Sequence, residues 1–321
     1  MNILLSSVGR RVQLVDYFKE ALNKVNGKVI AVDCDPTAPA LYHADSHEII
    51  PRIYHPDYFD TIKEICKRHE VSGVLSLIDP ELTLLSAYQA DFAKEQITLI
   101  MPSQDVIDIC FDKYATYSFL LEHDLPAVPT YINGRKIEEA LHHGSLQFPL
   151  IVKPRCGSAS IGVHKVSTMK ELKPFLDDGK SIVQPFMEAS EYCVEAYVDL
   201  LTNDITDMFC KRKYNMRAGE TDKSVSVNDG ELTYLSEKLI NALKPNGPVD
   251  VDLFKVNGRY LISEINPRFG GGYPYAHEMG HNFIEKIMTN LTGKQNPPYE
   301  KYTGKYTEGK SMVRYDKFVV L

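Results

Sequence analysis

No CxxC pair occurs in this chain, whose six cysteines, Cys34, Cys66, Cys110, Cys156, Cys193 and Cys210, are widely scattered. That spacing excludes a zinc or disulfide framework and leaves buried, reduced thiols as the expectation. No apolar run approaches the roughly 18 residues of a membrane span. The opening MNILLSSVGRR is too short in apolar residues for a signal peptide and reads as a first strand. A cytoplasmic protein is expected. Basic residues are not in excess either: 36 Lys and Arg face 43 Asp and Glu, a formal net charge of -7. The two signs are interspersed, so no basic stripe is offered to nucleic-acid phosphates. No internal repeat is visible.

What is present suits a globular enzyme. The 321 residues, 44% of them hydrophobic, suffice for two or three packed units. Through the first hundred positions, strands alternate with helices. Ile3–Ser6, Lys28–Val32, Gly73–Ile78 and Ile97–Met101 read as extended. Val12–Leu22, Tyr58–Arg68 and Glu81–Gln89 read as helical. Such alternation implies a parallel sheet, whose ligands bind beyond the carboxyl ends of the strands. The loops Ser6–Arg11, Asp33–Pro36 and Asp79–Glu81 should therefore share one edge.

From about Asp112 the texture changes. A helix over Lys113–His123 is followed by strands at Pro149–Pro154, Gly162–Val166 and Ser181–Phe186, with a capping box at Thr168 and Glu171. Long antiparallel segments follow at Glu191–Leu200 and Ile205–Lys213. Then come a helix over Glu231–Leu243 and strands at Val249–Val256 and Tyr260–Asn266. A surface tail is expected to end in a strand at Phe318–Leu321.

Three stretches carry chemistry. In PLIVKPRCGSASIGV, small residues at Gly157, Ser158, Ala159, Ser160 and Gly162 let backbone N–H groups approach an anion, and Lys153 supplies a fixed charge. Val163 and His164 stand where a P-loop needs Lys and Ser/Thr, and a strand follows where it needs a helix. A hairpin lid over phosphates remains. In VDVDLFKVNGRYLISEINPRFGGG, Glu264 and Asn266 point to one strand face, as Mg²⁺ ligands should. A two-residue turn at Asn257-Gly258 would put Asp252 on the opposite face, so an odd-length loop is expected. In QPFMEASEYCVEAYV, Phe186 and Met187 offer an apolar slot for a base and Glu191 a partner for ribose.

Lys113 in FDKYATYSFL, Lys153, Gln184–Glu191 and Asp252, Glu264, Asn266 and Arg268 occur in an order and spacing that resembles the ATP-grasp superfamily. The ending EINPRFGGGYP is similar to its carbamoyl-phosphate synthase large-subunit-like branch. The resemblance implies an α/β protein in which a parallel α/β preATP-grasp domain precedes a two-lobed ATP-grasp α+β fold. Its divisions would be residues 1–111, a lid subdomain over 112–187, and a C-terminal subdomain with the tail over 188–321. It implies ATP with Mg²⁺ (Mn²⁺ as an alternate ion), and small carboxylate and amine substrates. Lys113 and Lys153 would contact phosphates, and residues 157–162 would form the lid. Gln184, Pro185, Phe186 and Met187 would frame the adenine and Glu191 the ribose. Asp252, Glu264 and Asn266 would hold the metal. Arg268 would face the transferring phosphoryl group, and one of Lys211, Arg212 and Lys213, together with Arg217, would line the same cleft. A homodimer follows from family habit.

The reaction so implied is attack of a carboxylate on the γ-phosphorus, then displacement of phosphate by an amine. No Ser-His-Asp or Cys-His pattern competes with it. His277-Glu278-Met279-Gly280-His281 matches the letters HExxH, but Gly280 interrupts the helix a zinc protease needs. SSVGRRVQ lacks the GxGxxG of an NAD site. Arg10 and Arg11, at a helix start, could bind an anionic substrate. A nucleotide-binding regulatory module without turnover is the alternative reading.

Overall fold

In the computed structural model the chain is described over residues 1–157, 161–217, 220–299 and 306–320. Three sheets organise it. The first contains β1 (Asn2–Ser6), β2 (Lys28–Asp33), β3 (Ser46–Ile49), β4 (Val71–Ser76) and β5 (Thr98–Leu99), in the order β3-β2-β1-β4-β5. All of its pairings are parallel. Helix Val12–Asn23 buries Leu14, Val15, Phe18 and Leu22 on one side, each burial contributing about 1.5–3 kcal/mol. Helix Tyr58–Arg68 likewise buries Ile62 and Ile65.

A small antiparallel sheet follows, β6 (Leu150–Pro154), β7 (His164–Val166) and β8 (Ser181–Pro185), ordered β7-β6-β8. Helix Gly134–His142 packs on it through Ile137 and Ala140. Thr168 caps the next short helix, its hydroxyl accepting from Glu171 N. Leu120 and Leu125, at the end of helix Lys113–Glu122, pack instead into the core of the third sheet.

That sheet contains β9 (Ser190–Val198), β10 (Ile205–Arg217), β11 (Glu220–Ser226), β12 (Gly247–Val256), β13 (Arg259–Asn266) and β14 (Ser311–Val313), ordered β13-β12-β9-β10-β11-β14. Strand period decides what each face carries. Val194, Ala196, Met208, Val249, Val251 and Ile265 face a core shared with helix Gly230–Leu243. The alternate positions carry charge. By register, Glu264 lies beside Asp252, Asp252 beside Cys193, and Cys193 beside Lys211, while Lys213 lies beside Glu191.

Three expectations need correction. The Asn257-Gly258 loop is not odd: Val256 pairs with Arg259 across a two-residue turn, both turn residues having positive φ, +50° and +81°. The face is restored by a bulge between the Asp252 and Leu253 pairings, which places Asp252 directly opposite Glu264. The tail strand lies at Ser311–Val313 and not at Phe318–Leu321; residues 318–320 have no strand, and Leu321 lies outside the described residues. Of the cysteines, Cys34 and Cys156 are exposed.

Candidate active site

A cavity of about 390 Å³ opens between the small sheet and the charged face of the large one. Lys113, Lys153, Gly157, Pro185, Phe186, Met187, Glu191, Lys213, Asp252 and Glu264 all line it. Lys113 is set in place by its neighbour: Asp112 caps the helix by accepting from Tyr114 N and Ala115 N at 2.9 and 3.2 Å, and also holds Arg155. Lys113 Nζ donates to Gly157 O at 2.6 Å and lies 3.4 Å from Glu264 Oε1. Lys153 enters from β6. Burial pushes its ammonium below the ordinary lysine value, and Glu264 opposes that shift.

Lys213 pairs with Asp252, which identifies the member of the basic stretch that reaches the cleft. Burial, the largest single influence, works against its ammonium, but Asp252 and the neighbouring groups that include Asp250 together outweigh it and the net shift is upward. The Asp252 carboxyl is pushed up to about 6 by burial and by Asp250, with Lys213 opposing. Lys211 lies elsewhere, fully buried 2.5 Å from Glu195. Arg212 stacks over Tyr214, and Arg217 pairs with Asp222 and Asp316.

Across the cleft Phe186 is capped by Lys165, whose Nζ stands 3.6 Å from the ring centroid. Gln184 lines the cleft too, but its side chain is engaged, Nε2 donating to Thr130 Oγ1 at 2.8 Å. Burial pushes the Glu191 carboxyl up. Gly157 and Gly162 have φ of +131° and +74°, conformations that favour glycine. Ser158 and Ser160 lie outside the described residues.

Asn266 and Arg268 sit deeper. Asn266 Nδ2 donates to Asp250 Oδ2 at 3.2 Å, and Arg268 Nη2 donates to Asn266 Oδ1 at 3.2 Å and to Asp79 Oδ2 at 2.9 Å. Neither Asn266 nor Arg268 lines the 390 Å³ cavity. Cys193 was not singled out from the sequence, yet its Sγ donates to Asp250 Oδ1 at 2.7 Å, and Cys193, Asp250 and Asp252 offer ligand atoms within 4.8 Å of one another. The available signal was strand parity, since Cys193 is two residues from Glu191. Oxygen donors predominate, which suits a hard cation better than a soft one.

The HExxH letters form no metal site. Helix Tyr273–Glu278 ends before Gly280, His277 stacks on Tyr17 at 3.8 Å, and His281 Nδ1 pairs with Asp207 Oδ1 at 2.6 Å.

Comparison with known proteins places this geometry. A family model described as ATP-grasp domain matches residues 110–272, and one described as PylC-like, N-terminal domain matches residues 3–100. The chain belongs to the ATP-grasp family. It is 30% identical over 176 residues to a D-alanine–D-alanine ligase of Thermotoga petrophila, covering 49% of this chain and 56% of that enzyme. It is 22% identical over 277 residues to the arginine-specific carbamoyl phosphate synthase large chain of Bacillus subtilis, covering 80% of this chain and 27% of that one. The chain thus spans about half or less of the length of these two relatives. In fold it is similar to the N5-carboxyaminoimidazole synthetase of Staphylococcus aureus complexed with ADP, with TM-score 0.73, 16% identity, and coverage of 92% of this chain and 78% of that one. Among the described residues of this ATP-grasp protein, no helix is long and apolar enough to cross a membrane.

Proposed function

We propose that the protein uses ATP and a divalent cation to convert a small carboxylate into an acyl phosphate, which an amine then attacks. The carrying observation is the cleft in which Asp252 and Glu264 stand on one sheet face against Lys113, Lys153 and Lys213. Each of these two carboxylates is balanced by a lysine. A metal–nucleotide complex can exchange with such pairs without leaving charge uncompensated, because it brings both a cation and phosphates. Asp252 and Glu264 would hold Mg²⁺, with Mn²⁺ able to replace it on the same oxygen donors. The cation, when bound, neutralises charge developing on the phosphates.

The chain's own groups would do the rest. Lys113 and Lys153 would hold the phosphates, and the apolar slot at Phe186 and Met187 the base. Arg268, deeper along the same strand end, would steady the attacking carboxylate beside the γ-phosphate. A non-catalytic binding module is not favoured, since every charged group this chemistry requires is retained.

The test is isotopic. Carboxylates labelled with ¹⁸O are incubated with the protein, Mg²⁺, ATP and an amine panel, and the released phosphate is analysed. Transfer of one ¹⁸O into phosphate, abolished by EDTA, is the expected outcome. ATP hydrolysis that is indifferent to every carboxylate, with no label transferred, would sink the reading.

A further inference from the structure

Thr130 is buried behind the wall of the 390 Å³ cleft and does not line it. Its stretch of chain is pinned to both of the sheets that form the cleft. Val128 N donates to Ile262 O of β13 at 3.0 Å, and Ile262 N donates to Pro126 O at 2.8 Å. Tyr131 and Val183 of β8 exchange backbone hydrogen bonds at 2.9 and 2.8 Å. Thr130 is therefore fixed between the two sheets, next to its anchor on β8.

The Thr130 hydroxyl has one proton to give, and it goes to Val128 O at 2.9 Å. Val128 is buried, and no other hydrogen bond to its carbonyl occurs among the described residues. Diverting that proton would leave a buried acceptor unpaired. Toward Gln184 the hydroxyl can thus only accept, and Gln184 Nε2 donates to it at 2.8 Å. The orientation of the amide follows. Gln184 Oε1 has no hydrogen-bond partner among the described residues, and it is not sealed off as Arg268 Nε is.

Strand parity sets where that oxygen opens. Gln184 lies opposite Ile151, and Ile182 opposite Lys153. Ile151, Lys153 and Gln184 line the cleft, whereas Leu150, Val152 and Val183 turn into the core on the other side. The free oxygen stands in the cleft wall, on a residue two positions before Phe186. Held this way, the amide accepts and meets the 6-amino group of adenine. Turned by half a rotation it would present N–H and meet the 6-oxo group of hypoxanthine or guanine. Gln184 alone does not fix the choice of base.

We propose that Thr130 is a positioning residue for base selection: by holding the Gln184 amide with its oxygen forward, it makes the slot at Phe186 and Met187 favour a 6-aminopurine nucleotide over a 6-oxopurine one. The proposal rests on the reading of this cleft as a nucleotide site. A 6-oxo base would set its carbonyl against Oε1 and leave two acceptors facing each other, unpaired.

The test reads binding and not turnover. The full chain with Mg²⁺ is titrated by calorimetry with ADP and with inosine diphosphate, whose bases differ only at position 6 and in the adjoining N1 proton. Wild type is expected to bind ADP roughly 10- to 100-fold more tightly. In Thr130→Val the amide is free to turn, and the ratio should fall to within about threefold, while Thr130→Ser should keep it. Adding Gln184→Glu to Thr130→Val should restore the ratio, because a carboxylate presents only acceptors whichever way it turns. A hydroxyl with a merely structural role would weaken both nucleotides alike and leave the ratio where it was. Equal wild-type affinities, or an unchanged ratio in Thr130→Val, overturns the proposal. If Thr130→Val fails to fold, Thr130→Cys carries the same expectation, since a thiol is a weak acceptor. Failure of wild type to bind either nucleotide would instead strike the ligase reading beneath it.

Discussion

Arg268 and Asp79 stand 189 positions apart in sequence and 2.9 Å apart in space. Their ion pair joins the parallel sheet to the strand end that carries Glu264 and Asn266. The contact is end-on: Asp79 Oδ1 and Arg268 Nε are both buried without a partner. Burial, the largest single influence, works against the Arg268 guanidinium, but Asp79, with Asp250 and Glu264, outweighs it and holds the group above its ordinary value, so it stays charged.

Arg268→Gln should lower carboxylate-dependent ADP release by about 10²- to 10³-fold, the loss typical of a donor to developing charge. Leaving Asp79 buried and unpaired should also cost roughly 3–5 kcal/mol of stability. Adding Asp79→Asn should restore part of the melting temperature and none of the activity. Recovery of activity in the double variant would show that the arginine acts only as a structural tie.

Within the basic stretch of β10, only one member should matter for nucleotide affinity. Lys213→Met strands Asp252 in the cleft and should weaken MgATP binding by roughly tenfold or more. Arg212→Met, on the opposite strand face, should stay within about twofold. Fluorescence titration with a labelled ADP measures both, and equal losses would place the phosphate contacts elsewhere.

The Gly270–Gly272 turn gives a graded prediction. Added Cβ atoms at Gly270 and Gly272 would meet Glu195 Oε1 at 2.6 Å and Lys211 Nζ at 2.4 Å, both in a fully buried ion pair. At Gly271 the nearest atom is Glu220 Cγ at 3.1 Å. Alanine at the first two should each destabilise by about 1–3 kcal/mol, more than at the third. Gly230→Ala meets nothing within 4 Å and should stabilise by roughly 0.4–1 kcal/mol. Chemical denaturation gives the order.

His277 carries a pH signature. Burial against Tyr17 pushes its imidazole below the ordinary value of 6.5. The unfolded chain therefore takes up this proton first as pH falls, and stability is lost from about pH 6.5 downward toward the lower folded value. His277→Gln should flatten the fall in melting temperature between about pH 7 and 5 relative to wild type.

Much of this was legible beforehand. Helix Tyr58–Arg68 was readable to the residue because Ile62, Ile65 and Cys66 keep helical spacing. Lys113, Lys153, Asp252 and Glu264 could be grouped because their order and spacing resemble those of the ATP-grasp superfamily. Strand β11 was not legible: Glu220–Ser226 is polar apart from Val225, yet Thr221, Asp222, Ser224 and Ser226 are buried between two strands. Tertiary pairing overrode composition there. Short β3, half-exposed at an edge, gave equally little signal. The shared pairing of Arg11 and Arg314 with Glu220 was beyond reach, since nothing local in either stretch points to the other.

The bulge in β13 has an evolutionary corollary. A paired strand position turns over with each added residue, so the number of residues separating Asp252 from Glu264 matters only as odd or even. Relatives that lengthen or trim this hairpin should do so in steps of two, or else trade the bulge for a longer turn. Hairpin length in a set of aligned sequences would thus report which members still bring both acids to one side.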